Sequence, residues 1–241
     1  MAPQIPTPPC AESTEGSPGT TLQERQGSAS SAKNPPRRYD PLENIRGRPR
    51  MQRLADFLFE AGMLKKTPRT GFQFLGSGSE NVAEHSFRTA LIGFVLASMA
   101  GANAERSALL CLIHDFHEAR TGDFNYVNSM YNSSKQRLAM EHALMGTGLS
   151  ALVLALWDEQ DSRESPEGRL SRDADQIDLI LNLVQERVLG NPYAEKWIEP
   201  ALKRLQTPEG KALAMVILET DPADWWFKGP DEEWWVKKGK E

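Results

Sequence analysis

Leu109 to Asp123 reads Leu-Leu-Cys-Leu-Ile-His-Asp-Phe-His-Glu-Ala-Arg-Thr-Gly-Asp, an apolar run that carries titratable side chains with it. His114 and Asp115 stand side by side, Glu118 follows His114 by four positions, and Asp123 lies just past Gly122. Helical spacing puts His114 and Glu118 on one face, a turn apart. A carboxylate buried without a partner costs several kcal/mol. A chain containing this stretch therefore folds only if other segments bring matching groups to it. A divalent cation is the simplest object for such a set to surround.

Elsewhere the apolar positions recur at helical spacing. From Met51, Leu54, Phe57, Leu58 and Ala61 share a face, and Gly62 with Lys65-Lys66 suits a helix end. Glu80-Asn-Val-Ala-Glu-His-Ser opens a helix whose stripe is Leu91, Ile92, Val95 and Leu96. Asn103 is a suitable N-cap for a helix running to about Arg120, with Glu105 in its first turn and Gly122 at its end. Residues 125–132 read as a connection. A long helical pattern from about Ser133 to Trp157 is bent or broken at Gly146 and Gly148. A polar loop over 158–168 leads to a helix from about Arg169 to Leu189. Shorter helices follow near Ala194–Leu205, interrupted at Pro200, and Pro208–Glu219. No segment alternates like a strand, so the expected fold is all-α, a single compact helical domain over 43–223.

The flanks read differently. Half of the sixteen prolines precede residue 42 and no aromatic precedes Tyr39, so residues 1–42 read as a disordered leader. Trp225-Trp226 and Trp234-Trp235 make residues 224–241 a tail expected to pack on the domain or on a partner subunit. A formal charge of −5 argues against a broad surface for a nucleic-acid polymer. Cys10 and Cys111, the two cysteines, offer no disulfide framework. No run reaches the length of a membrane span and the N-terminus lacks a secretory layout, so a cytoplasmic location is expected. Gly76-Ser-Gly-Ser lacks both the preceding strand and the Gly-Lys-Ser/Thr end of a phosphate-binding loop, and it is given no nucleotide role.

Two further segments can complete the charged set. His85 lies at the head of one apolar helix, and Asp175 and Asp178 interrupt another beside Ile177, Leu179, Ile180 and Leu181. Imidazoles and carboxylates together suit a borderline divalent ion such as manganese, cobalt, zinc, nickel or iron(II). Asp173 reads as solvated, and Arg120 as complementing a helix C-terminus. His142 reads as a core or interface histidine.

The order His85, His114-Asp115, Asp175 resembles the HD-domain phosphohydrolases, and within them the 5′-deoxynucleotidase branch. Glu80-Asn-Val-Ala-Glu-His-Ser, Asn103-Ala-Glu-Arg, His114-Asp115-Phe-His-Glu118 with Thr121-Gly-Asp123, and Ala174-Asp175-Gln176 carry the likeness, over roughly residues 50 to 190. The resemblance implies that His85, His114, Asp115 and Asp175 hold the metal. It gives Glu118 and Asp123 the acid/base and water-positioning roles, in an order the sequence leaves open. It also implies a homodimer. Two-metal relatives need additional imidazoles, and with only His117 and His142 at hand a single divalent ion is expected.

Pro68-Arg69-Thr-Gly-Phe72 resembles the branch's nucleotide-binding segment, with Arg69 against phosphate oxygens. Phe72 stands where related sequences carry tryptophan, which puts strict selection for deoxyribose in question. The expected activity is metal-dependent hydrolysis of (deoxy)nucleoside 5′-monophosphates. Hydrolysis of deoxynucleoside triphosphates would need more cations than Arg69, Arg120 and Lys135 provide. A non-catalytic nucleotide-binding protein with a structural metal would not need the spare acids Glu118 and Asp123.

Overall fold

The structure, a computed structural model, describes residues 42–227 and Gly229. The expected leader therefore lies outside the described residues, as do Trp234 and Trp235, while Trp225 and Trp226 are both exposed. Helices α1 (Arg50–Ala61), α2 (Phe72–Leu75), α3 (Val82–Ala100), α4 (Ala104–Ile113), α5 (Glu118–Thr121) and α6 (Tyr126–Tyr131) form the first half. Helices α7 (Gln136–Leu144), α8 (Ser150–Ser162), α9 (Pro166–Val188), α10 (Ala194–Arg204) and α11 (Pro208–Glu219) form the second. A 3-10 segment, Gly62–Lys66, follows α1. The fold is all-α; among the described residues no strand occurs, and an isolated bridge joins Pro68 to Asn81.

Local chemistry sets the helix starts. Asn81 accepts from the Glu84 N–H while Glu84 accepts from the Asn81 N–H, a reciprocal capping box at the head of α3. Asn103, Ser165 and Thr207 cap α4, α9 and α11, the last two followed by proline in the first turn. Helices α3, α4 and α9 pack around Leu96, Cys111, Ile177, Ile180 and Leu183. Gly93 permits the α3–α4 approach, since a Cβ there would meet Cys111 Sγ at 2.5 Å. A second cluster gathers Leu64, Val82, Phe116, Met140, Leu144 and Trp157, with the Phe57 and Phe116 rings stacked at 4.7 Å.

Several sequence expectations need correcting. The helix from Ala104 does not run to Arg120; it ends at Ile113 and resumes as α5. His114 Nδ1 donates to the Cys111 carbonyl at 2.6 Å and Trp157 Nε1 to the His114 carbonyl at 3.0 Å. Both acceptors are those that continued α-helix would use, and the backbone tightens instead, with Glu118 N donating to the Asp115 carbonyl. Residues 126–131 form helix rather than irregular connection, capped by Asn125. The glycine break between α7 and α8 holds, but α8 extends to Ser162 and α9 starts at Pro166, so the loop is short. Pro200 lies inside an unbroken α10.

Burial departs from the simple stripes as well. Leu91 and Val95 of α3 face outward while Ile92 and Leu96 are buried. On α1, Leu58 is exposed and Arg53 is buried, where its guanidinium donates to the Ala143 and Met145 carbonyls at the end of α7. Asp173, expected in solvent, is fully buried: it accepts from the backbone of Gln206 and Thr207 and from the Thr207 hydroxyl, fastening the start of α11.

Candidate metal centre and adjoining cleft

The site lies where the two apolar clusters meet. On α3, His85 sits between Val82 of one cluster and Ile92 of the other; His114 and Asp115 sit between Cys111 and Phe116. Asp175 comes from α9, one turn before Leu179. These four side chains converge. His85 Nε2 lies 3.3 Å from His114 Nε2, 3.3 Å from Asp175 Oδ1 and 3.6 Å from Asp115 Oδ2. His114 Nε2 lies 3.1 Å from Asp115 Oδ2.

The donor set fits a divalent ion. Ligands about 2.1 Å from a tetrahedral or octahedral cation stand roughly 3.0–3.4 Å from one another, close to the separations found. Hydrogen bonds also orient both rings. A carbonyl only accepts, so the 2.6 Å contact to Cys111 O puts the hydrogen of His114 on Nδ1. His85 Nδ1 lies 2.7 Å from Asp178 Oδ2. With both rings neutral, each Nε2 then presents a lone pair to the common centre, as a bound cation requires. Burial works against a charged His85 imidazole, yet Asp175 and Asp178 outweigh it and push its pKa up to about 10. A bound divalent ion would balance the same carboxylates and displace that proton.

Asp178 is completely buried and receives Arg88 on its second oxygen. Arg88 also donates to Glu80 at 3.1 Å, as does Asn182. Burial and the Asp178 charge raise the pKa of Glu80. This chain of charges, one step behind His85, was only half legible. Asp178 stood out as an acid in an apolar run, whereas nothing in the spacing tied Glu80 or Arg88 to it.

Arg69 reaches into the cluster, 3.0 Å from Asp115, 3.5 Å from Asp123 and 3.9 Å from Asp175. Although burial opposes its charge, these carboxylates raise its pKa further. The same charges act in reverse on Asp115 and Asp175: burial alone would raise both, but the surrounding histidines and Arg69 hold both below the usual carboxylate range. Asp123 is taken up by the loop that carries Arg69, accepting from the Thr70 N–H at 2.5 Å and the Thr70 hydroxyl at 3.0 Å. Thr70 has no motif signal of its own and was missed.

Glu118 behaves differently. It is buried, its Oε2 has no hydrogen-bond partner, and its carboxylate stands within 4.8 Å of ligand atoms of Asp115 and His117. Burial first, then the neighbouring Asp115 and Asp123 charges, push its pKa up to about 10. His117 is itself buried, with Nδ1 3.1 Å from the Thr121 hydroxyl and its ring edge-on to Trp157.

Beside the cluster opens a cleft of about 520 Å3. Phe72, Leu75, Tyr126, Leu179, Leu183 and Trp197 supply its apolar walls, and Arg69, Asp123 and Asp175 reach its charged end. All eight residues picked out as candidates in the sequence thus lie in one region, six in or beside the cluster of histidines and carboxylates and Arg69 and Phe72 on the cleft.

A family model described as HD domain matches residues 61–215, and the chain belongs to that family. It is 29% identical over 149 residues to the protein named 5′-deoxynucleotidase HDDC2 of Danio rerio, covering 59% of this chain and 74% of the relative. It is 28% identical over 151 residues to 5′-deoxynucleotidase VV1113 of Vibrio vulnificus, covering 54% and 76%. Among solved structures, a predicted metal-dependent phosphohydrolase from Magnetospirillum magnetotacticum shares the fold. Its TM-score is 0.56 at 23% identity, with 70% of this chain and 91% of that one covered. No helix among the described residues is long and apolar enough to cross a membrane.

Proposed function

We propose that this chain hydrolyses the phosphomonoester of (deoxy)nucleoside 5′-monophosphates with one divalent ion held by His85, His114, Asp115 and Asp175. The carrying observation is that His85 Nε2 lies 3.3 to 3.6 Å from ligand atoms of His114, Asp175 and Asp115, beside Glu118, whose buried Oε2 has no hydrogen-bond partner. A divalent ion, when bound, lowers the pKa of water and polarises a phosphoryl oxygen.

The protein groups supply the rest. Arg69, facing the same centre, takes phosphate oxygens on its planar guanidinium. Asp123 holds Thr70 and faces Arg69, and it acts as the positioning group for that side chain. Glu118, beside Asp115 and His117, carries the proton to or from the reacting water or the leaving ribose oxygen. Its high pKa suits donation to the leaving oxygen.

The monophosphate is favoured over the triphosphate by the supply of cations. Arg120 is committed to Glu60, at 2.8 Å, and Arg69 is the basic side chain on the charged end of the cleft. A purely structural metal is disfavoured by Glu118, since a closed structural site needs no buried spare acid. The exposed Phe87, Leu91 and Phe94, at helical spacing on α3, support the homodimer that the resemblance implies.

The test is phosphate release by metal-stripped protein, with each divalent ion restored in turn, against mono- and triphosphates. Release of inorganic phosphate from deoxynucleoside 5′-monophosphates on metal restoration is the expected outcome. Turnover of triphosphates alone, with triphosphate leaving whole, would contradict it.

A further inference from the structure

Trp197, on α10, is an aromatic wall of the cleft. The cleft follows one face of α9, where Asp175, Leu179 and Leu183 stand at successive turns. Eight residues of helix, roughly 12 Å, separate the ligand carboxylate from the apolar end. Trp197, from α10, lines the same cleft as Leu183 and lies near the chain at Gly71. A Cβ on Gly71 would come within 3.8 Å of the indole Cζ3. The indole packs on the buried core on one side, yet it stays half-buried and lines the cleft on the other.

With phosphate at the charged end, the sugar spans the middle and a planar, apolar-faced group reaches Trp197. Only the base of a nucleotide has that shape. We propose that Trp197 is the stacking surface for the nucleobase, and hence a specificity-determining residue; this rests on the nucleotide reading of the site. Stacking is available to every base, because each presents a π-face. The device therefore selects nucleotides over sugar phosphates without choosing strongly among bases.

The experiment compares kcat/KM of the metal-loaded protein for a 2′-deoxynucleoside 5′-monophosphate and for 2-deoxyribose 5-phosphate. Trp197→Leu keeps apolar volume but removes the aromatic face, and it should lower the ratio of the two by roughly 5- to 150-fold, the worth of one base–aromatic stack. Trp197→Phe should keep most of the preference. Equal ratios in Trp197→Phe and Trp197→Leu, or a ratio unchanged in both, would reduce Trp197 to a core side chain and overturn the proposal. A wild-type protein that hydrolyses neither compound would remove the phosphatase reading instead. Equilibrium dialysis with the free deoxynucleoside then decides on its own: binding lost in Trp197→Leu and kept in Trp197→Phe upholds the base seat, and binding equal in both overturns it.

Discussion

The four candidate ligands come from α3, the end of α4 and α9, helices joined through the main core, whereas the cleft wall beyond its α9 face comes mostly from the short helices α2 and α6 and the residues just before them. Around the ligands, side chains have second partners: Cys111 O for His114, Asp178 for His85, Arg69 for Asp115. The cleft wall is looser, for α6 buries none of its six residues, Tyr126 and Val127 are exposed, and Arg204 lies over the Tyr126 ring. One part is fixed before anything binds; the other is shaped by short helices. Metal capture should therefore answer to single atoms, and substrate affinity should answer to surfaces.

Removing a ligand should break the rigid part outright. Asp115→Ala is expected to lose bound metal on dialysis and to drop phosphate release to background, as read by elemental analysis and a phosphate assay. Retained metal with unchanged turnover would show that Asp115 is not a ligand.

Glu118→Gln comes next, with kcat down on the order of 10²- to 10⁴-fold, the usual worth of a general acid or base, at unchanged metal content. Its stability should move the other way. The folded pKa of Glu118 is raised to about 10 from the ordinary 4.5, so the folded state keeps a proton that the unfolded chain gives up. Stability from this group is therefore lost as pH rises above 4.5 towards 10. Metal-free Glu118→Gln should melt a few degrees above the wild type at pH 8, with the gap closing near pH 4. A gap that ignores pH would contradict the buried, protonated carboxyl.

Asp178→Asn removes the charge behind His85 and should weaken metal affinity by about 10- to 100-fold while activity at saturating metal is largely kept. Calorimetric titration would show an unchanged affinity if Asp178 only packs. The smallest effect belongs to the cleft side: Thr70→Val takes one donor from Asp123 and should cost roughly 2- to 10-fold in kcat/KM. A loss as large as that of Glu118→Gln would mean that the Arg69 loop belongs to the rigid part after all.

The same contrast decides what could be read from the sequence. Charges inside apolar helices are conspicuous because burial without partners is so costly, so His85, His114, Asp115, Glu118, Asp175 and Asp178 stood out by type and spacing, and the family resemblance chose the four ligands among them. Asp173 misled because its partners are backbone N–H groups from a distant helix start, which leave no mark on local pattern. The break at His114 was hidden for a similar reason: Trp157, forty-three residues on, takes its carbonyl. Thr70 and Trp197 are ordinary residues whose meaning comes only from what folds against them. A surface assembled from short elements carries no periodicity to find.

The central claim is that one divalent ion, held by the His85, His114, Asp115 and Asp175 side chains, makes this chain a phosphatase. Metal-stripped protein titrated with a divalent ion, while phosphate release from a deoxynucleoside 5′-monophosphate is followed, tests it most directly. Activity should rise from background and level off at one equivalent per chain. Full activity in the stripped protein, or a rise that continues to two equivalents, would contradict it.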